Sequence, residues 1–154
     1  MTGAADVVVR PLESADRQDW DRLWTAYLAF YETAVPDQTK DVYFKRLMGG
    51  DPRDYTGLIA ETGGQPVGLA HYLFHRHGWK IADTCYLQDL YADPDVRGRG
   101  IGRALIEAVY AAADRAGIDG VYWLTQDFNS TARRLYDRIG DVTPFIKYQR
   151  KAQA

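Results

Sequence analysis

The sequence predicts an α/β protein, α+β in its finer class, built on a mixed and mostly antiparallel sheet flanked by helices. Three observations predict it. Short β-branched runs bounded by Gly and Pro alternate with helical apolar stripes, a Gly-Gly turn joins two neighbouring strands, and a glycine-rich loop leads one strand into a long amphipathic helix.

Each element has its own signal. Val7-Val8-Val9, closed by Pro11, reads as the first strand. Ser14 stands where an N-cap belongs, ahead of Trp20, Leu23, Trp24, Tyr27, Leu28 and Tyr31, whose spacing marks one buried helical face ended by Pro36. Residues 41–48 give a shorter helix before the breaker Gly49-Gly50-Asp51-Pro52. Residues 56–61 and 66–74 flank Thr62-Gly63-Gly64-Gln65 and read as an antiparallel hairpin. Residues 84–92 form a further strand, closed by Asp93-Pro94. The next helix puts Ile101, Leu105, Ala108, Val109 and Ala112 on one face, with Gly117 as its C-cap. A strand over residues 120–125, a short helix over 130–139 and a last strand over 143–150 complete the order βααβββαβαβ.

The whole chain bounds the function. Its 154 residues suit one domain spanning 1–154, with 46% hydrophobic and 26% charged residues, as in ordinary soluble proteins. A net charge of −2 supplies no overall basic field, so neither nucleic acid nor an anionic membrane is expected as partner. No apolar run approaches the roughly 20 residues that span a bilayer. The N-terminus lacks the basic start and apolar core of a signal peptide, so the expected location is cytoplasmic. The single cysteine, Cys85, excludes an intrachain disulfide and a cysteine-rich metal site. His71, His75 and His77 crowd one strand without a third ligand at a recognisable spacing, and no metal is expected.

The chemistry concentrates in DVRGRGIGRAL, residues 95–105. Gly98, Gly100 and Gly102 clear side chains from the backbone just before a helix, and Arg97, Arg99 and Arg103 stand among them. Helix N-termini present unpartnered amides and a positive dipole end, so this loop reads as a pyrophosphate cradle. It is not a P-loop, because the chain has no GxxxxGK[ST] string. Nor is it a dinucleotide fingerprint: the spacing is GxGxG, and more than half the chain precedes it.

The Arg-x-x-Gly-x-Gly of Arg97, Gly100 and Gly102, after the strand Leu87-Gln88-Asp89-Leu90-Tyr91-Ala92, resembles motif A of the GNAT superfamily, the Gcn5-related N-acetyltransferases. A second block, Asn129-Ser130-Thr131-Ala132-Arg133-Arg134-Leu135-Tyr136 followed by Gly140, is similar to the superfamily's Asn-x-x-Ala-x-x-Leu-Tyr segment. The resemblance covers nearly the whole chain. Within the superfamily the two stretches are most similar to the small histone and D-amino-acid acetyltransferases, and next to the polyamine acetyltransferases.

The resemblance implies an acetyl-CoA-dependent N-acetyltransferase acting on a primary amine of a small molecule, an amino acid or polyamine, by direct attack in a ternary complex. It implies that coenzyme A is held by Leu90, Tyr91 and Ala92 along the pantetheine, by Gly98, Arg99, Gly100, Ile101, Gly102 and Arg103 with Arg97 around the pyrophosphate, and by Asn129, Ser130, Thr131 and Ala132. Tyr136 matches the family's tyrosine acid, a phenol of pKa about 10 facing a thiolate of pKa about 8.5. Gln88 stands where the polyamine relatives carry a glutamate base and cannot take a proton, which leaves Asp89 as the candidate base or amine-orienting carboxylate. Phe30, Tyr31, Glu32 and Tyr43, with Gln88, are the acceptor-site candidates. A protein-lysine acetyltransferase of histone type and a non-catalytic CoA-binding module are the alternatives. A homodimer or larger homo-oligomer, joined through residues 143–150, is also expected from the superfamily.

Overall fold

The computed structural model describes residues 6–96 and 98–153. The chain divides into two compact units, one up to Trp123 and one from Leu124 onward.

The first unit holds a five-stranded sheet in sequential order: β1 (Val7–Pro11), β2 (Thr56–Thr62), β3 (Gln65–His75), β4 (Thr84–Ala92) and β5 (Val121–Tyr122). The first three pairings are antiparallel and β4–β5 is parallel. The α/β class and the mostly antiparallel sheet therefore hold. The β2–β3 hairpin turns at Gly63-Gly64, as its Gly-Gly signal predicts.

Helices α1 (Arg17–Phe30) and α2 (Asp37–Gly49) cover one face of the sheet. Trp20, Leu23, Trp24 and Leu28 of α1 meet Phe44 and Leu47 of α2 over Ile59 and Leu69. Helix α3 (Ile101–Arg115) covers the other face with Ile101, Leu105, Ile106 and Val109. Gly68 of β3 is what lets α3 come close: a Cβ there would stand 2.8 Å from Ile101 Cγ2. The second unit carries α4 (Ser130–Ile139).

The structure corrects several boundaries. Ser14 is not the cap of α1; it opens a 3-10 turn, Ser14–Asp16, closed by a capping box between Glu13 and Asp16. That carboxylate is also gripped by both terminal nitrogens of Arg10 at 2.8 Å, so Asp16 rather than the serine fixes the turn. α1 stops at Phe30, before Pro36, where Glu32 takes a left-handed φ of 56°. α2 starts four residues earlier than its apolar pattern indicates, because Pro36 at its N-cap is already suited to a helix start. The strand expected over 120–125 shortens to two residues. The last strand, over 143–150, is absent. A strand needs a ladder partner, the described residues from Leu124 onward contain no other strand, and Pro144 has no N–H to give. The observed order is accordingly βααβββαβα.

Two irregularities in β4 prepare the site. His71 pairs with Asp89 and Tyr72 with Leu87, so Gln88 is an extra residue, a β-bulge. On its other side β4 meets β5 only at Cys85 and Tyr86. From Leu87 to Ala92 that edge has no strand partner among the described residues.

Candidate active site

The cradle is built from backbone. β4 ends at Ala92, a 3-10 turn over Pro94–Val96 reverses the chain, and α3 begins at Ile101 after Gly100. Gly98 and Gly100 take φ values of 80° and 72°, a left-handed region that side chains rarely enter. A Cβ at either would meet nothing within 4 Å, so space lies beside the loop. The first amides of α3 lack partners within the helix and face an exposed loop. This arrangement fits a pyrophosphate. Arg99 is exposed, and Arg103 bonds Glu107 at 2.8 Å one helical turn on. Arg97 lies outside the described residues. Leu90, Tyr91 and Ala92 lie half-buried on the open edge of β4.

The opposite wall is built from side chains. The bulge turns Gln88 and Asp89 toward α1 and α2, where a cleft of about 330 Å³ opens. Trp24 and Tyr27 of α1, Tyr31 just after it, Tyr43 of α2 and Tyr55 line it together with Gln88 and Asp89. Tyr55 OH donates to Gln88 Oε1 at 3.3 Å. An adjoining cleft shares Tyr43 and Tyr55 and adds Arg46 and Asp54. The structure thus gathers Tyr31, Tyr43, Gln88 and Asp89 of the expected site residues. Phe30, which packs edge-on to Tyr31, and Glu32 are exposed and outside this lining.

Behind the cleft runs a buried chain of hydrogen bonds. Trp20 Nε1–H donates to His71 Nε2 at 3.0 Å, His71 Nδ1 lies 2.8 Å from Asp89 Oδ2, and Tyr43 OH donates to the same oxygen at 2.6 Å. The Tyr27 hydroxyl faces the same carboxylate. Trp20 and His71 are wholly buried and Asp89 nearly so. Burial alone would raise the Asp89 carboxyl, but its interaction with His71 first, and then with the Tyr43 and Tyr27 hydroxyls, outweighs it and holds the group below the usual carboxylate range. The Tyr27 and Tyr43 phenols are pushed well up, by burial first and then by the Asp89 charge.

Sequence reasoning missed Trp20, Tyr27 and His71 as site residues, because each also satisfies a core pattern. The signal that could have raised Trp20 and Tyr27 is the density of polar-tipped aromatics on one helical face, more than packing alone requires. His75 lies elsewhere, with Nε2 hydrogen-bonded to Tyr122 OH at 2.8 Å and Nδ1 to the Arg76 carbonyl at 2.7 Å. Cys85 is buried, and burial pushes its thiol up to about 12.

In the second unit Asn129 caps α4: its Oδ1 accepts from Ala132 N–H at 3.4 Å, and its Nδ2 donates to Thr125 Oγ1 at 3.4 Å. Ser130 and Thr131 are exposed in the first turn, while Ala132 and Tyr136 are half-buried.

With this geometry in hand, the chain matches the acetyltransferase (GNAT) family over residues 20–141, and it belongs to that family as an N-acetyltransferase. It is 34% identical over 145 residues to the D-amino-acid N-acetyltransferase HPA3 of Saccharomyces cerevisiae, covering 94% of this chain and 90% of that protein. It is 33% identical over 99 residues to the thialysine N-epsilon-acetyltransferase of Bos taurus, covering 59% and 58% of the two chains. The fold matches the aminoglycoside N-acetyltransferase AAC(6')-Iy solved in complex with CoA, with a TM-score of 0.82, 17% identity and 98% of each chain covered. Acetyl-CoA is the cosubstrate that the resemblance to this family implies. Among the described residues no helix is long and apolar enough to cross a membrane.

Proposed function

We propose that the protein is an acetyl-CoA-dependent enzyme of the cytoplasm that acetylates a primary amine of a small molecule, an amino acid or polyamine, by direct attack in a ternary complex. The observation that carries this reading is a cleft with an anionic carboxylate, Asp89, at the bulge of the strand whose open edge leads to the cradle. The substrates named for the HPA3 and thialysine relatives support a small amine. Arg46 in the adjoining cleft favours an acceptor that carries a carboxylate, hence an amino acid over a polyamine.

In this reading the backbone of Leu90, Tyr91 and Ala92 pairs with the pantetheine, and Gly98 to Arg103, with Arg97, enclose the pyrophosphate. An amide near Leu90 or Tyr91 polarises the thioester carbonyl, in the manner of an oxyanion hole. Tyr136, carried over from the family motif, protonates the departing thiolate, and Asn129, Ser130, Thr131 and Ala132 flank the cofactor. The whole chain acts as one acetyltransferase domain. Residues 143–150, exposed at Phe145, Ile146 and Tyr148, gain their strand pairing from a second copy. Removing them would then lower the molecular mass seen by light scattering; an unchanged mass would refute that pairing.

The direct test is amine-dependent release of CoA thiol with D- and L-amino acids, polyamines, aminoglycosides and a histone-tail peptide. Tyr136→Phe should lower turnover strongly while acetyl-CoA still binds. Preference for the peptide would select the protein-lysine alternative. Binding without release for every acceptor would select the CoA-binding module.

A further inference from the structure

Resting on the transferase reading, we propose that Tyr27 and Tyr43 orient the acceptor amine for attack, and that Trp20 and His71 act through Asp89 as positioning residues that hold both phenolic hydrogens turned away from the substrate. An indole N–H is a donor only, so the Trp20 contact at 3.0 Å makes His71 Nε2 an acceptor. The imidazole hydrogen must then sit on Nδ1, facing Asp89 Oδ2 at 2.8 Å. Both ring nitrogens are thereby occupied, and His71 has no lone pair left with which to serve as a base. Asp89 accepts from His71 at 2.8 Å and from Tyr43 at 2.6 Å, with the Tyr27 hydroxyl facing it as well, which leaves it a stable anion rather than a proton acceptor. The titratable groups that face it are Tyr27 of α1, Tyr31 just after that helix, Tyr43 of α2, Tyr55 of the segment before β2, His71 of β3 and Tyr86 of β4.

Each hydroxyl that gives its hydrogen to Asp89 keeps an oxygen lone pair for a substrate N–H, although the Tyr43 oxygen also lies 3.0 Å from His71 Nδ1. A neutral primary amine has two N–H groups and one lone pair. Its N–H groups can bond the two phenol oxygens of the cleft, and its lone pair stays free for the thioester carbon. The new C–N bond forms as the C–S pair moves onto sulfur; nitrogen then releases one proton to water, sulfur gains one from Tyr136, and the Tyr136 phenolate takes a proton back from water. Nitrogen becomes positive only as the bond forms, so the Asp89 charge behind the phenols favours the transition state over the bound amine. An ammonium has no lone pair, and no enzyme group in the wall removes its proton. The acceptor therefore reacts as the free base supplied by solvent.

Two acceptors decide the point: one reacting through an α-amine of pKa about 8, the other through a side-chain amine of pKa about 10.4. The acidic limb of kcat/KM should move with the acceptor, by roughly 2 pH units. A limb that stays fixed reveals an enzyme base and overturns the proposal. Absence of thiol release with every amine removes the transferase reading and this proposal together. Trp20→Phe keeps an aromatic ring and loses the N–H; kcat should fall about tenfold with acetyl-CoA affinity by calorimetry unchanged. His71→Asn, which keeps a donor for Asp89, should retain more activity than His71→Leu, and equal loss in the two overturns the positioning role. The imidazole nitrogen-15 spectrum of the unmodified protein tests the lock without activity. A hydrogen on Nδ1 and a bare Nε2 near neutral pH support it, and the opposite tautomer overturns it.

Discussion

The cradle before α3 and the wall formed by α1, α2 and β3 handle charge in opposite ways. Gly98, Arg99 and Gly100 are exposed, and the cradle offers backbone amides and arginines to a charge that arrives with the ligand. Trp20, His71 and Asp89 are buried, and the wall keeps a charge of its own, hydrogen-bonded by His71 and Tyr43. The difference teaches where evolution can vary each part. A backbone cradle needs little beyond glycine and a helix start, whereas a buried carboxylate needs every donor around it.

The largest test of that contrast is mechanical. Trp20→Ala removes the ring that stacks on Trp24 at 5.1 Å and should cost about 3–5 kcal/mol of stability in denaturant unfolding. Gly100→Ala, at a φ of 72°, should cost only about 1–2 kcal/mol while weakening acetyl-CoA binding. Equal losses would erase the distinction.

A smaller effect concerns pH. The Asp89 carboxyl is held below its unfolded value, so its stabilisation is fully present above that value, about 3.9, and is lost as pH falls through the folded one. Asp89→Asn should cost about 1–3 kcal/mol near neutrality. The gap to the unmodified protein should close in urea titrations as the solution is acidified below about pH 4. A gap independent of pH would mean that the charge itself contributes nothing.

The smallest effect lies in the cradle. Arg103 and Glu107 form an exposed pair at 2.8 Å, and Arg103→Gln should change stability by less than about 0.5 kcal/mol. The same change should weaken acetyl-CoA binding, more at low salt than at high salt. Unaltered binding at both would remove Arg103 from the pyrophosphate site.

Much of the fold was legible because its signals are local. The β4 boundaries, the Gly63-Gly64 hairpin and the start of α3 follow from turn residues and periodicity alone. The cradle was legible for the same reason: its glycines and the helix they precede are neighbours in sequence. The strand over residues 143–150 was misread because β-propensity is a fitness for pairing, and the pairing partner is not written in the segment itself. Tyr27 was read as core for a related reason, since its apolar face and its hydroxyl serve different neighbours.

By itself the sequence determined the α/β class, the glycine cradle and the motifs that mark the family, all of them patterns within short stretches of chain. Tertiary structure alone decided that Gln88 is an extra residue in β4, that Asp89 consequently turns toward α1 and α2, and that Trp20 and His71, 51 residues apart, close on it. The physical reason is that a buried charge is stabilised by donors gathered from separate elements, and only packing fixes which donors those are.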